Sequence, residues 1–152
     1  MTISIGEYMT SRHKHCDELF IAAETAVYKK RWDAARAALE QFCNALEQHL
    51  AMEEEVLFPA VEAETGVTGG PTSVMRAEHQ QARSLLRRLE DALTQRDVSA
   101  YLSHSETLNI MLQQHDLKEE SVLYPMIDSV LSSNADELIR AMSELASETE
   151  GS

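Results

Sequence analysis

The chain has 152 residues, the usual length of one domain, and we expect a single domain over residues 1–152. Its 26 acidic residues outnumber 13 basic ones, and the formal net charge of −13 at pH 7 repels phosphate backbones and anionic lipid surfaces. No apolar run approaches the ~20 residues that span a bilayer, and the first residues lack the apolar stretch of a signal peptide. We therefore expect a cytoplasmic protein with no nucleic-acid or membrane partner.

The composition is typical of a helical protein. The 5 Gly and 3 Pro leave few places where helices would break, aromatic residues make up only 5% of the chain, and Ala, Leu and Glu dominate. Cys16 and Cys43 lie in separate predicted helices, and a cytoplasmic protein keeps such thiols reduced. We expect an all-α fold without a disulfide.

Two long helices are predicted in the first half of the chain. Ser4, followed three residues later by Glu7, is a capping box, and the apolar residues after it predict a helix over about residues 5–30. A turn near Trp32 starts a second helix, which carries one apolar face and runs to about Glu64.

The second half of the chain repeats this arrangement and adds a short last helix. A glycine-rich loop over 65–71 precedes a third helix, which covers about residues 72–95. Asp97 is a good N-cap for a fourth helix, which extends to about Leu131. An amphipathic pattern then predicts a short fifth helix over about residues 134–148.

Long helices joined by short connections favour antiparallel neighbours, because a short loop forces the chain to reverse direction. We expect an antiparallel up-down four-helix bundle over about residues 5–131, with the C-terminal helix as a fifth. That helix would cap the bundle or join two copies, so we expect a monomer or a homodimer.

A sequence motif occurs once in the second helix and once in the fourth. The segments HLAMEEEVLFP, residues 49–59, and HDLKEESVLYP, residues 115–125, both read H-x-x-x-E-E-x-V-L-[FY]-P. Residues four apart share a helix face, so each copy directs one imidazole and one carboxylate to the same side.

The first and third helices each supply a further candidate histidine. His15 and His79 both interrupt a mostly apolar stripe, and we expect both to face the bundle axis. His13 lies about 200° from His15 around the first helix, so we expect it to face solvent. His104 lies about 16 Å from His115 along the fourth helix, and we expect a surface or bundle-end residue.

Six polar groups inside a bundle carry a desolvation penalty, and two buried carboxylates repel each other. A divalent cation removes both objections, and imidazole with carboxylate suits iron, manganese or zinc better than calcium or magnesium. Six ligands exceed the four of one tetrahedral ion, so two ions bridged by the two glutamates account better for the set. The predicted metal ligands are His15, His49, Glu53, His79, His115 and Glu119.

The duplicated motif, with its two upstream histidines, resembles the hemerythrin family and its bacterial HHE cation-binding branch over about residues 5–130. The resemblance implies two iron ions bridged by Glu53, Glu119 and an oxygen species, with manganese or zinc less favoured. It also implies that dioxygen or another small diatomic molecule binds at an open position of the centre.

One position departs from the family pattern. Respiratory hemerythrins have a further histidine four residues before the one that matches His79, and here that residue is Met75. The resemblance implies one ligand fewer for the ion held by His79 and His115, with water, Glu78, Glu54 or Glu120 as candidate replacements. This departure favours redox turnover or a different ligand over reversible oxygen carriage.

Ferritin-like di-iron proteins are the nearest alternative architecture, and they depend on Glu-x-x-His motifs. The residues three before the four candidate histidines are Arg12, Leu46, Arg76 and Leu112, so that motif is absent. Three functions stay open: a protein that binds or senses a small diatomic ligand, a redox enzyme acting on peroxide, nitric oxide or damaged iron centres, and an iron-responsive or iron-handling module. Whether the chain is an enzyme stays open with them.

Overall fold

The computed structural model describes residues 3–150, and every regular element within them is helical. The two residues at each end of the predicted 1–152 domain lie outside the described residues. The first half of the chain contains α1 (Ile5–Tyr28), α2 (Trp32–Met52), a first π-helical turn (Glu53–Leu57) and α3 (Phe58–Thr65). The all-α prediction is confirmed.

The second half follows the same order. It contains α4 (Pro71–Thr94), α5 (Val98–Lys118), a second π-helical turn (Glu119–Leu123) and α6 (Tyr124–Val130), then a 3₁₀ turn (Ser132–Asn134) and α7 (Ala135–Glu150). α1 packs along α2, and α4 packs along α5. The helical bundle and the short C-terminal helix are therefore confirmed, and α7 packs against α1, α2 and the first π-helical turn.

The predicted helix starts rest on the expected capping groups. The Ser4 hydroxyl accepts from the Glu7 amide at 3.0 Å, and the Glu7 carboxylate accepts from the Ser4 amide at 3.3 Å, which completes the capping box. The Asp97 carboxylate accepts from the Ala100 amide at 3.0 Å. The described helices include none long and apolar enough to cross a membrane.

The two π-helical turns are not expected from periodicity alone. Each begins at the first glutamate of the motif and ends just before the aromatic residue and proline, and the Phe58 and Tyr124 amides donate to the carbonyls of Glu53 and Glu119, five residues earlier. Proline has no amide hydrogen, which weakens the ordinary α-helical pattern at this place. In a regular α-helix the aromatic residue would lie about 140° from the glutamate, and the wider turn brings both to the same side.

The core consists of two apolar clusters separated by a polar layer. The first cluster includes Cys16, Val27, Leu39, Phe42, Ala82, Leu86 and Leu108. The second cluster includes Ile5, Met9, Met52, Phe58, Met75, Ile127 and Met142. On α1, His13 lies between Met9 of the second cluster and Cys16 of the first. The bundle therefore encloses its polar side chains between two apolar layers.

Candidate metal centre

Six buried histidine and glutamate side chains meet in the polar layer. Their exposed fractions range from 0% for Glu53, His79 and Glu119 to 4% for His13, with His49 and His115 at 2%. The Nε2 atom of His13 lies 3.0 Å from Nε2 of His49 and 3.0 Å from Oε1 of Glu119. On the other side of the layer, Nε2 of His79 lies 3.0 Å from Oε1 of Glu53. The arrangement brings six candidate donors to one place.

The donors form two groups, each with its ligand atoms within 4.8 Å of one another. We call the group of His79, His115, Glu53 and Glu119 the His79–His115 half, and the group of His13, His49 and Glu119 the His13–His49 half. Glu119 belongs to both groups. Glu53 also reaches both, because its Oε1 lies 3.0 Å from His79 and its Oε2 lies 3.7 Å from Nε2 of His49.

The prediction that His15 faces inward and His13 faces solvent is wrong. His15 is exposed, whereas His13 is buried in the centre with the five other predicted residues. The inward face of α1 is set by Met9 and Cys16, and His13 lies four residues after the first and three before the second. The repeat carries a signal that identifies it, because His13 and His79 are 66 residues apart, the same offset as the two motif copies.

Three carboxylates outside the centre orient the imidazoles. Glu120 lies 2.7 Å from Nδ1 of His13, and Glu54 lies 2.7 Å from Nδ1 of His79. Glu78 lies 2.7 Å from Nδ1 of His115. A carboxylate at Nδ1 favours the proton there and leaves the Nε2 lone pair directed at a cation. Sequence reasoning offered these three glutamates as replacement ligands, and the structure places them against the outer nitrogens of the imidazoles instead.

The two central glutamates have opposite protonation preferences. Burial and the nearby charge of Glu119 raise the pKa of Glu53 well above its ordinary value. Burial would also raise the pKa of Glu119, but the protonated Glu53 and the adjacent imidazoles of His115, His13 and His49 hold it well below its ordinary value. Without a cation, the pair shares one proton held on Glu53.

The histidines of the His13–His49 half also differ from each other. Burial lowers the pKa of His49 to about 4. Burial opposes protonation of His13 as well, but its hydrogen bond to Glu119 and the charge of Asp116 raise its pKa to about 9. The centre without metal therefore holds a protonated His13 beside a neutral His49.

Some buried atoms of the centre lack a partner, and this tests whether a cation would fit. Among the described side chains, Nδ1 of His49, Nε2 of His115 and Oε2 of Glu119 form no hydrogen bond. A buried polar atom without a partner is destabilising, and two of these three atoms lie at the inner ends of their side chains, 3.4 Å apart. A cation between them would satisfy both, so the residues present fit a metal ion.

Comparison with known proteins agrees with this geometry. The model of the hemerythrin family, described as the hemerythrin HHE cation-binding domain, matches residues 4–127. The chain belongs to the hemerythrin HHE cation-binding family. No curated protein and no solved structure matches it. The family and the buried histidine and glutamate cluster together indicate a cation-binding helical domain.

Tyr124 is a residue of this hemerythrin-like centre that sequence reasoning missed. Its hydroxyl donates to Oε2 of Glu53 at 2.7 Å and lies 3.0 Å from Oε1 of Glu119. The same oxygen lies 3.3 Å from Nε2 of His13 and 3.4 Å from Nε2 of His49. The [FY]-P end of the motif contains the signal, but only the π-helical turn directs the aromatic side chain inward.

Asp116 is a second residue that sequence reasoning missed. Its Oδ1 lies 3.3 Å from Nε2 of His13, although it does not join either donor group. Burial raises its pKa to about 7. Met75, at the position of the further family histidine, is buried in the second apolar cluster and adds only a weak thioether acceptor there.

A small cavity lies against the centre on the side of the first apolar cluster. Its volume is about 20 Å³, and it reaches His13, His49 and His115. The remaining wall includes Cys16, Phe20, Phe42, Leu46 and Leu112. A cavity of this size accepts one molecule about as large as water.

A paired substitution on α1 tests the corrected ligand set. We expect His13→Ala to lower metal affinity by at least about 10- to 100-fold, because a ligand contributes no less than the orienting groups behind it. His15→Ala, on the exposed side of the same helix, should keep the unmodified metal content. Metal per chain after gel filtration, measured by elemental analysis, distinguishes the two variants; a loss in His15→Ala alone would contradict the assignment.

The metal-free protein should lose stability as the pH rises above about 6.5. The folded state raises the pKa of His13 from 6.5 to about 9, so His13 stabilises the fold fully below pH 6.5 and loses this contribution as the pH approaches 9. The free energy of unfolding should fall by at most about 3 kcal/mol over this pH range. Urea unfolding of metal-free protein between pH 6 and 9 measures it.

Two variants serve as controls for this pH dependence. His13→Asn should show a shallower decline, and the raised pKa values of Glu53 and Asp116 account for the decline that remains. His15→Asn should decline as the unmodified protein does. Equal slopes for the unmodified protein and His13→Asn would show that His13 is not responsible.

Proposed function

We propose that the chain holds two iron ions, one in each half of the centre, and uses them to bind dioxygen or another small diatomic ligand. The observation that carries this proposal is the pair of donor groups that share Glu119, with Glu53 in reach of both. Each carboxylate has two oxygens, so each can contact two ions at once. Two ions would neutralise the repulsion between the two glutamates.

The ligands in this proposal are His13 and His49 for one ion, and His79 and His115 for the other. Glu53 and Glu119 would contact both ions, as the family likeness suggests. Imidazole and carboxylate donors suit iron, and manganese or zinc is less favoured. Iron bound here would supply reversible one-electron chemistry and open coordination positions for a small ligand.

The protein side chains would control access and polarity around the ions. The first and second apolar clusters exclude bulk water, because the central donors are at most 4% exposed. The cavity beside His13, His49 and His115 admits only a small molecule. The Tyr124 hydroxyl provides a hydrogen-bond donor inside this dry site, at Oε2 of Glu53. These features favour binding of a small diatomic ligand.

A second candidate function is redox turnover of peroxide or nitric oxide. The observation that favours it is the Tyr124 hydroxyl, which contacts Glu53 and Glu119. A buried proton donor beside the metal-binding side chains can assist reduction of a small substrate. Met75 leaves the centre without the further family histidine. Sustained turnover of either substrate would support this alternative.

Metal content and optical spectra test the proposed function directly. We expect two irons per chain in protein purified from its own cytoplasm, and an absorption spectrum that changes reversibly between air and anaerobic reduction. A single zinc ion per chain would overturn the two-iron centre. An unchanging spectrum with two irons would overturn ligand binding, and steady consumption of peroxide or nitric oxide would favour the enzyme.

A variant of Tyr124 tests how the chain contributes to ligand binding. We expect Tyr124→Phe to keep its metal, because Phe58 occupies the equivalent position of the first motif copy. Tyr124 belongs to the second apolar cluster and does not line the cavity, so it would act on the ligand through its hydrogen bond to Glu53. Loss of this buried hydrogen bond should weaken binding of the diatomic ligand by about tenfold. Tyr8→Phe is the matched control, since the Tyr8 hydroxyl contacts Ser143 and not the centre. Equal ligand affinity in both variants would contradict this role for Tyr124.

A further inference from the structure

The offset of 66 residues relates the two halves of the centre both inside and outside the motif. It pairs His13 with His79, His49 with His115, Glu53 with Glu119, Glu54 with Glu120 and Phe58 with Tyr124. The geometry repeats as well. The Nδ1 contacts of His13 and His79 are both 2.7 Å, and their Nε2 contacts to the central glutamates are both 3.0 Å. Residues 66 apart are therefore structural counterparts. Where two counterparts differ in residue type, the surroundings of the donors differ between the two halves.

The clearest difference concerns the second histidine of each half. Nδ1 of His115 lies 2.7 Å from Glu78, whereas Nδ1 of His49 has no partner among the described residues. His49 is only 2% exposed, so bulk water does not replace the missing partner. The counterpart of Glu78 is Arg12, whose guanidinium donates to Oε1 of Gln48 at 3.0 Å. Arginine offers no acceptor for an imidazole N–H.

Among the described residues, cations pair with the orienting carboxylates of the His79–His115 half only. Arg83 donates two hydrogen bonds to Glu54, at 2.9 and 3.0 Å, and Lys118 pairs with Glu78. The counterpart of Arg83 is Asp17, and the counterpart of Lys118 is Met52. The orienting groups of the His79–His115 half are thus fixed by ion pairs that have no counterpart in the other half among the described residues.

We propose that the two metal positions are unequal, and that the His79–His115 half binds its ion more tightly and fills first. This inference rests on the proposed two-metal centre. A carboxylate on Nδ1 orients an imidazole and makes it a stronger ligand, and its loss lowers metal affinity by about 10- to 100-fold. Both histidines of the His79–His115 half have such a carboxylate, and only one histidine of the other half does.

Negative charge near His13 acts in the opposite direction. Asp17 and Asp116 lie close to the His13–His49 half and would attract a cation there. Asp17 is exposed and the Asp116 side chain is 21% exposed, so water screens part of their charge. Neither carboxylate contacts Nδ1 of His49, so neither replaces the orienting hydrogen bond that this histidine is missing.

Titration of the metal-free protein with manganese(II) tests the proposal without any substitution. Free manganese followed by electron paramagnetic resonance should show two binding steps, with affinities about 10- to 100-fold apart. Crystals grown with one equivalent of manganese should show the main anomalous peak beside His79 and His115. Equal peaks at both positions, or a main peak beside His13 and His49, would overturn the proposal.

Two variants change the orienting carboxylate that distinguishes the two halves: one adds it and the other removes it. Arg12→Glu places a carboxylate where the counterpart of Glu78 is missing, and should tighten the weaker step by about 10- to 100-fold. Glu78→Gln should weaken the tighter step by a similar factor. Arg31→Glu and Glu106→Gln make the same chemical changes at exposed positions and should alter neither step. An unchanged tighter step in Glu78→Gln would contradict the proposal.

The outcomes separate this inference from the proposed function. Two equal sites would overturn the inequality and leave the two-metal centre intact. No binding, or a single ion per chain at saturation, would overturn the two-metal centre itself and the inference with it.

Discussion

Burial of two carboxylates among four imidazoles is the constraint on which this bundle depends. Glu53 and Glu119 have no exposed surface, and in the absence of a cation one of them keeps a proton while the other relies on hydrogen bonds from its neighbours. Burial of these polar groups is strongly destabilising unless they contact one another. The polar residues of α1, α2, α4 and α5 must therefore lie at the same height along the bundle axis. The apolar clusters on both sides then make the layer dry, which strengthens every charge interaction inside it.

The repeated motif is a structural unit in which each copy supports the other half of the centre. Its first glutamate enters the centre, and its second glutamate orients a histidine of another helix: Glu54 contacts His79, and Glu120 contacts His13. The aromatic residue of the same copy stacks on the same histidine, with ring centroids 5.6 Å apart for Phe58 and 5.7 Å for Tyr124. Neither half of the chain contains a complete set of these contacts, so the centre forms only when the halves pack together.

Sequence periodicity predicted the helices and five of the six clustered donors, because each motif places its donors four residues apart on one face. It failed for α1, where two histidines stand two residues apart and apolar residues lie on more than one side. Tyr8 and Leu19 suggested the wrong face, although both are only half-buried, whereas Met9 and Cys16 are buried. The offset of 66 residues would have selected His13. The inward hydroxyl of Tyr124 could not be predicted, since it depends on a π-helical turn that helical periodicity does not reveal.

Counterpart residues differ along the whole repeat, and a few of these differences lie beside the donors. The counterparts Met9 and Met75 are identical and lie in the same apolar cluster. By contrast, Glu78 contacts His115 where its counterpart is Arg12. Likewise, Tyr124 contacts Glu53 where its own counterpart is Phe58. The duplication thus supplies the scaffold, and the departures from it set the polarity of each half. Because Glu53 and Glu119 reach both halves, a change in the orienting group on one side also alters the charge that the shared carboxylates present to the other. The two halves can therefore differ in metal affinity, but a substitution that changes the affinity of one half also changes that of the other.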